Sequence, residues 1–298
     1  MTPDAVLAHP PRVLSRAQQE SYFEQGYLLV ENFIDAAWLD RLRAVTSSFV
    51  EKSRSWTESD DLFDLSPSHG PDRPLIRRIK TPEDQSEIYW EFSIGPIADL
   101  ATDLLGPDIG FHHSKLNFKW HEGGDEVSWH QDFPFYPHTN DAVLAIGIYL
   151  QDVEEGDGPL AVLPGSHKGP LYDHYGADGA WTGHLDGAAV AGLDLSAVRH
   201  LTGPAGSVTV HSARLVHGSP PSRKADGRPL LINAYRAADA MPYTPYPLPG
   251  SHAGEIVRGE AARQAHLQLL PCRIPPDWSG GYTSIFAAQA GEGTKAAE

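Results

Sequence analysis

The chain has 298 residues, enough to bury a large core, and its 41% hydrophobic and 21% charged residues are the balance of a soluble globular protein. A formal net charge of −16 argues against nucleic acid as a partner, which needs a basic footprint, and against anionic membrane surfaces. The single Cys272 excludes an internal disulfide, no apolar run approaches the roughly 20 residues of a membrane span, and the N-terminus lacks the regions of a secretion signal, so a cytoplasmic protein with no membrane role is expected.

Residues 1–13 are proline-rich and read as loose. Ser15 has the chemistry of a helix N-cap, and Arg16 to Gln25 reads as a short helix stopped at Gly26. Tyr27 to Val30 reads as a strand. Asp35 can cap a second helix, in which Trp38, Leu42, Val45 and Phe49 recur at near-helical spacing and face the core. Residues 53–75 are polar, with Pro67, Gly70, Pro71 and Pro74, and read as a long lid or disordered connection. It ends in Arg77-Arg78-Ile79-Lys80, a basic cluster that is either a solvated strand edge or an anion-binding rim.

Ile94 to Leu105 reads as a helix ending at Gly106-Pro107. From about residue 109 the pattern changes to short strands between turn residues: 111–120, 126–131, 142–151, 159–163, 207–212, 214–217 and 229–236. Such a series predicts a mainly β fold with flanking helices, a double-stranded β-helix or jelly roll of the cupin kind. Residues 170–200 form a glycine-rich insert read as a loop over one face, prolines punctuate Pro242 to Pro276, and residues 287–298 read as frayed. With no repeat and no interdomain linker, one domain is expected: N-terminal helices over about 15–105, a jelly-roll core over about 109–240 and a tail over 241–298.

The candidate chemistry centres on Trp129-His130-Gln131-Asp132-Phe133. On a strand His130 and Asp132 share one face, because side chains alternate with period two. An imidazole and a carboxylate so placed can bind one metal ion, and a distant histidine would complete the 2-His-1-carboxylate triad of non-haem Fe(II) oxygenases. With 15 His and 39 Asp plus Glu a chance pair is no surprise, so the surroundings must decide. His217 is the candidate third ligand, because Arg228, eleven residues on, can aim a planar fork into the metal cavity and hold a dicarboxylic acid. His211, six residues before His217, is the rival ligand, and Arg223 and Arg236 are the rival cations.

Four blocks resemble the phytanoyl-CoA dioxygenase family of Fe(II)- and 2-oxoglutarate-dependent oxygenases, which includes ectoine hydroxylase. They are Ser114 to Lys119, Trp129 to Asp132, Gly158 to Gly169, and His217-Gly218-Ser219 with Arg228; Gln25 to Val30 extends the likeness. The resemblance implies that His130, Asp132 and His217 hold Fe(II), and that O2 and 2-oxoglutarate are consumed with release of succinate and CO2 as a small-molecule substrate is hydroxylated. It implies that Arg228 and Ser219 hold the distal carboxylate of 2-oxoglutarate, with Asn117 and, less directly, Tyr149 beside the cosubstrate. Lys115, Tyr136 and His211 match substrate-facing positions, and Phe133 could wall the pocket. Lys115 stands where the family has an arginine and His211 where it has an aromatic residue, which puts ectoine itself in doubt. Halogenating relatives have a small residue in place of the ligand carboxylate, so Asp132 favours hydroxylation, with desaturation or cyclisation as variants of the same chemistry. A catalytically silent jelly-roll binding protein, and a cupin-like metal enzyme that uses no 2-oxoglutarate, are the competing readings. A monomer or homodimer is expected.

Overall fold

The computed structural model describes residues 1–121, 126–224, 227–278 and 285–289. Its strands are β1 (Tyr27–Val30), β2 (Phe63–Leu65), β3 (Ile76–Lys80), β4 (Ile109–Lys119), β5 (Val127–His130), β6 (Val143–Tyr149), β7 (Leu160–Val162), β8 (Arg199–Leu201), β9 (Val208–Ser212), β10 (His217–Ser219), β11 (Arg228–Ala237) and β12 (Ile256–Arg258). The helices are α1 (Pro3–Leu7), α2 (Arg16–Gln25), α3 (Ala36–Ser53), α4 (Pro82–Gln85), α5 (Glu87–Ile94), α6 (Pro96–Leu105), α7 (Gly187–Ala191) and α8 (Ile285–Gln289). Among the described residues, an eight-stranded sheet runs β1-β9-β6-β11-β4-β3-β2 with β12 on β4, and a four-stranded sheet runs β5-β10-β7-β8. Every pairing is antiparallel, and the two sheets make the expected jelly roll. No helix of the described residues is long and apolar enough to cross a membrane.

Alternation along the strands divides the large sheet into two faces. Leu116 and Phe118 of β4, Leu144, Ile146 and Ile148 of β6, Val208 and Val210 of β9, and Leu231 and Tyr235 of β11 are buried in one core cluster. That cluster includes Leu42 and Phe49 of α3, Tyr89 and Phe92 of α5, and Ile97, Leu100 and Leu104 of α6, so the helices cover this outer face. The opposite face, with Lys115, Asn117, Gly147, Thr209, His211, Leu230 and Ile232, looks into a cavity between the sheets. A bulge in β4 changes the phase of the alternation. Ala234 pairs with His113 and Tyr235 with Phe111, so His112 is the extra residue.

The caps read from sequence are present. Ser15 accepts the Gln18 N–H while the Gln18 side chain accepts the Ser15 N–H, and Asp35 accepts the Trp38 N–H at 2.8 Å. Gly26 ends α2 at φ 82°, and a Cβ there would lie 2.4 Å from His167 Nδ1, so both backbone and space require glycine.

Elsewhere the structure corrects the expectations. Residues 1–13 contain α1, and the chain after it is tied down because the Asp103 carboxylate accepts the N–H groups of Arg12, Val13 and Leu14 at 2.7, 2.9 and 2.8 Å. The 53–75 connection contributes β2, and the basic cluster lies on β3, where Arg78 and Lys80 are buried rather than lining a rim. The Ile94–Leu105 helix is broken at Gly95, because Pro96 has no N–H to continue α5. The strand expected over 214–217 begins at His217 instead, after a turn closed by the Leu215 N–H to the Ser212 carbonyl. The 170–200 insert contains α7 and part of β8, and the tail supplies β12 and α8; of the end expected to fray, residues 290–298 lie outside the described residues.

Asp103 is 3% exposed, so its three charge-assisted hydrogen bonds are well shielded. Asp103→Asn is expected to lower stability by roughly 2–3 kcal/mol, the scale of hydrogen bonds to a charged group. The check is urea denaturation: the midpoint should fall with an unchanged slope.

Candidate active site

Two histidines face each other because of strand register. His130 ends β5, His217 begins β10, and the two are direct antiparallel partners with ring centroids 4.1 Å apart. Gly218 permits this approach, since a Cβ there would stand 2.7 Å from the Val127 carbonyl oxygen. Asp132 lies just beyond the strand, where the backbone turns helical into a 3-10 turn over Phe133–Phe135. The carboxylate therefore reaches the histidines through that turn rather than through strand alternation.

Each imidazole is fixed by its own backbone. His130 Nδ1 lies 2.9 Å from the Ser128 carbonyl oxygen and His217 Nδ1 lies 2.9 Å from that of Leu215. A carbonyl can only accept, so each Nδ1 carries the proton and each Nε2 keeps its lone pair. Both Nε2 atoms face Asp132 Oδ1, at 3.7 and 3.9 Å, and one donor atom from each residue falls within 4.8 Å of the others. Donors at right angles on one ion with bonds near 2.1 Å lie roughly 3 Å apart, so small side-chain rotations bring this set onto one ion. The other carboxylate oxygen, Oδ2, lies 3.3 Å from His211 Nε2. His211, the rival ligand, thus braces Asp132. The triad is the one such cluster among the described residues.

The electrostatics suit a cation. Burial raises the Asp132 pKa, but the three histidines around it, His130, His211 and His217, outweigh that and hold the carboxyl well below its usual range. Burial, with His130 and His211 close by, holds His217 well below the usual imidazole value, so it is the neutral form that a metal requires. Two imidazoles and one carboxylate with open positions beside them fit Fe(II).

A profile of the phytanoyl-CoA dioxygenase (PhyH) family matches residues 22–230. The chain belongs to that family. A probable alpha-ketoglutarate-dependent hypophosphite dioxygenase of Stutzerimonas stutzeri is 33% identical over 282 residues, covering 91% of this chain and 96% of its own. An ectoine dioxygenase of the same species (strain A1501) is 27% identical, over 76% of this chain and 78% of its own. The crystal structure of EctD from S. alaskensis in its apoform superposes with a TM-score of 0.67 at 24% identity, covering 83% of this chain and 87% of that one. This member of the PhyH family is an Fe(II)- and 2-oxoglutarate-dependent dioxygenase acting on a small molecule. Iron in such a centre supplies O2 activation coupled to oxidative decarboxylation of 2-oxoglutarate; the protein supplies position and shielding.

Around the triad, this dioxygenase brings Lys115, Asn117, His211, Ser219 and Arg228 into the wall of one cavity. Arg228 opens β11 opposite Lys119 and is 3% exposed. Its Nε donates to the Asp157 carbonyl at 3.1 Å and one Nη to that of Gly158 at 2.9 Å, and burial pulls its pKa down from the usual value. Of its rivals, Arg223 is exposed, and Arg236, at the other end of β11, spends its guanidinium on the carbonyls of Ala237, Ala238 and Ala240. Asn117 accepts a hydrogen bond from Arg78 Nε at 2.9 Å.

Three named residues are placed outside the cavity wall. Tyr149 follows Gly147 on the inner face of β6 and packs on Leu230, but it does not line the cavity; its hydroxyl donates to the Leu201 carbonyl. Tyr136 packs among His112, His113 and Tyr246, and Phe133 is fully buried, with its N–H given to the Ala213 carbonyl. Conversely, sequence reading missed Lys119, Thr209, Ile285 and Phe286 in the wall, while Arg78, read as part of a strand edge or an anion-binding rim, is buried against Asn117. Lys119 could have been found, since it continues the period-two series of Lys115 and Asn117. Ile285 and Phe286 carry no comparable signal.

Arg228→Ala is expected to raise the KM for 2-oxoglutarate by about 100-fold or more, since truncating one partner of a buried charge pair costs several kcal/mol at 1.4 kcal/mol per tenfold. Arg228→Lys should recover only part, because an ammonium lacks the fork. Arg223→Ala should leave KM unchanged. Succinate release against 2-oxoglutarate concentration measures all three, and an unchanged KM in Arg228→Ala would show that the anchor is elsewhere.

Proposed function

We propose that this dioxygenase hydroxylates a small anion held by Lys115 beside an iron bound to His130, Asp132 and His217, with 2-oxoglutarate held by Arg228, Ser219 and Asn117. The observation that carries this reading is the state of Lys115. Its side chain lines the cavity and has no hydrogen bond or ion pair among the described residues. Lys119, by contrast, donates to the Ser219 and Pro220 carbonyls, and Arg228 to two carbonyls. A cation kept in a mostly enclosed cavity is costly unless an anion arrives to pair with it. That cost is visible in its pKa, drawn down to about 8 by burial and by Arg78, against the pull of Asp132.

The relative named as a hypophosphite dioxygenase supports the reading, because hypophosphite is a small anion. The cavity also argues for small size. Ile285 and Phe286 of α8, each 6% exposed, lie in its wall with Val127, Leu160 and Leu230. The overall balance places one oxygen atom of O2 in the product and one in succinate, with CO2 released; for hypophosphite a P–H bond would become P–OH. Lys115 would orient the substrate, His211 would keep Asp132 in place, and the apolar wall would keep water from the reacting centre. The single Cys272 further supports a reducing, cytoplasmic setting.

The test is succinate release with sodium hypophosphite, methylphosphonate, L-proline and ectoine as separate substrates. The anions should stimulate turnover and Lys115→Gln should raise their KM by about 30-fold or more, from the loss of a buried charge pair, while the KM for 2-oxoglutarate stays the same. Stimulation by the zwitterions alone, or an unchanged anion KM in Lys115→Gln, would sink the proposal. Since only the ammonium form pairs with an anion, kcat/KM should fall as pH rises through about 8, the free-enzyme value. Lys115→Arg should move that fall to higher pH. Phe286→Ala should open the wall and raise the ratio of succinate to hydroxylated product above one.

A further inference from the structure

Gln131 is the residue between two of the triad side chains, and nothing about it is left loose. It is fully buried. Its Nε2 donates to the carbonyls of Pro170 and Arg214 at 3.1 and 2.7 Å, and its Oε1 accepts the Tyr172 N–H at 2.9 Å. Its own backbone N–H, just past the end of β5, is accepted by His174 Nε2 at 3.1 Å. The tautomer follows from the other ring nitrogen: His174 Nδ1 lies 3.0 Å from the Tyr172 carbonyl oxygen and must carry the proton.

His174 is itself held from all sides. Its carbonyl accepts the Thr182 and Gly183 N–H groups at 2.9 and 3.2 Å and the Thr182 hydroxyl at 2.9 Å. Trp181 stacks on its ring with centroids 5.9 Å apart, and Phe135 meets it edge-on at the same distance. The ring is 1% exposed, and burial, with His130 close by, lowers its pKa to about 4, so it stays neutral and its lone pair stays available. Without that acceptor the Gln131 N–H would be buried and unpaired, at a cost of about 1–3 kcal/mol.

We propose that His174 is a positioning residue of the metal centre: by accepting the Gln131 N–H it sets the turn that brings His130 and Asp132 to one point, which makes the 170–185 segment part of the iron site. The inference rests on the reading that His130, Asp132 and His217 hold the metal. Outer partners of this kind typically carry about 10- to 100-fold in metal affinity.

The experiment is anaerobic titration of the apoprotein with Co(II), a redox-stable probe, followed by calorimetry and by the d–d spectrum of the bound ion. His174→Ala should weaken Co(II) binding by about 10-fold or more and alter the spectrum. His174→Gln, whose Oε1 can reach the place of Nε2, should recover most of the affinity. Wild-type affinity in His174→Ala overturns the proposal, and so does a His174→Gln variant no better than the alanine. If His174→Ala does not fold, the same comparison is made between His174→Gln and His174→Leu, which keeps bulk without an acceptor. Asp132→Ala separates the two layers of the argument. It should abolish binding, and if it binds Co(II) as the wild type does, the ligand assignment has failed and the inference with it.

Discussion

His130 and His217 stand opposite each other across β5 and β10, and almost everything about the site depends on that register. A one-residue slip would turn one imidazole out of the cavity, because side-chain direction reverses at every position of a strand. Gly218 lets the two strands lie close, the Ser128 and Leu215 carbonyls fix the two tautomers, and the turn after His130 delivers Asp132 to the same point. None of these contacts is strong by itself. Their joint effect is to preorganise three donors before any ion arrives, which is how buried sites avoid reorganisation costs at the moment of use.

The charge distribution is the second organising feature. A chain with net charge −16 keeps Lys115, Lys119, Arg228 and the adjacent Arg78 around one cavity. A general acidic surface serves solubility, whereas cations gathered where water is sparse act on whatever enters. Most of these cations are anchored to backbone carbonyls or to Asn117, which holds them in place. Lys115 differs in having no such anchor among the described residues, and it lies on β4 next to Ile232, four residues along β11 from Arg228. The two cations therefore address different parts of the cavity, one beside the start of β11 and one farther along it.

The surrounding segments are less decorative than their composition suggests. The glycine-rich insert places His174 and Trp181 against the turn that carries Asp132, and the tail places Ile285 and Phe286 in the cavity wall. Gln289 of α8 accepts the Ser128 N–H at 2.9 Å and donates to the Gly183 carbonyl at 3.0 Å, joining the tail, the insert and the strand of His130 in one network. The bulge at His112 works similarly. By absorbing one residue it allows Phe111 to face the outer core while His113, Lys115, Asn117 and Lys119 share the inner face.

By itself the sequence determined what short-range chemistry can encode. Ser15, Asp35 and Gly26 act within a few residues of themselves, so their caps were legible, as was the series of short strands that specifies a jelly roll. The blocks around His130, Asp132, His217 and Arg228 were legible because a metal and a dicarboxylate demand particular residue types at particular spacings. Only the tertiary structure decided the rest, since those features depend on partners far along the chain. Asp103 restrains residues 12–14, about ninety positions away, Arg78 is carried inside by pairing of β3 with β4, and His211 braces Asp132 rather than joining the His130–Asp132–His217 cluster. Tyr136, Phe133 and Tyr149 were legible as aromatic residues near the motif, but which side of the wall an aromatic ring takes is a matter of packing. Packing is decided by the whole set of neighbours at once, and a linear pattern does not contain them.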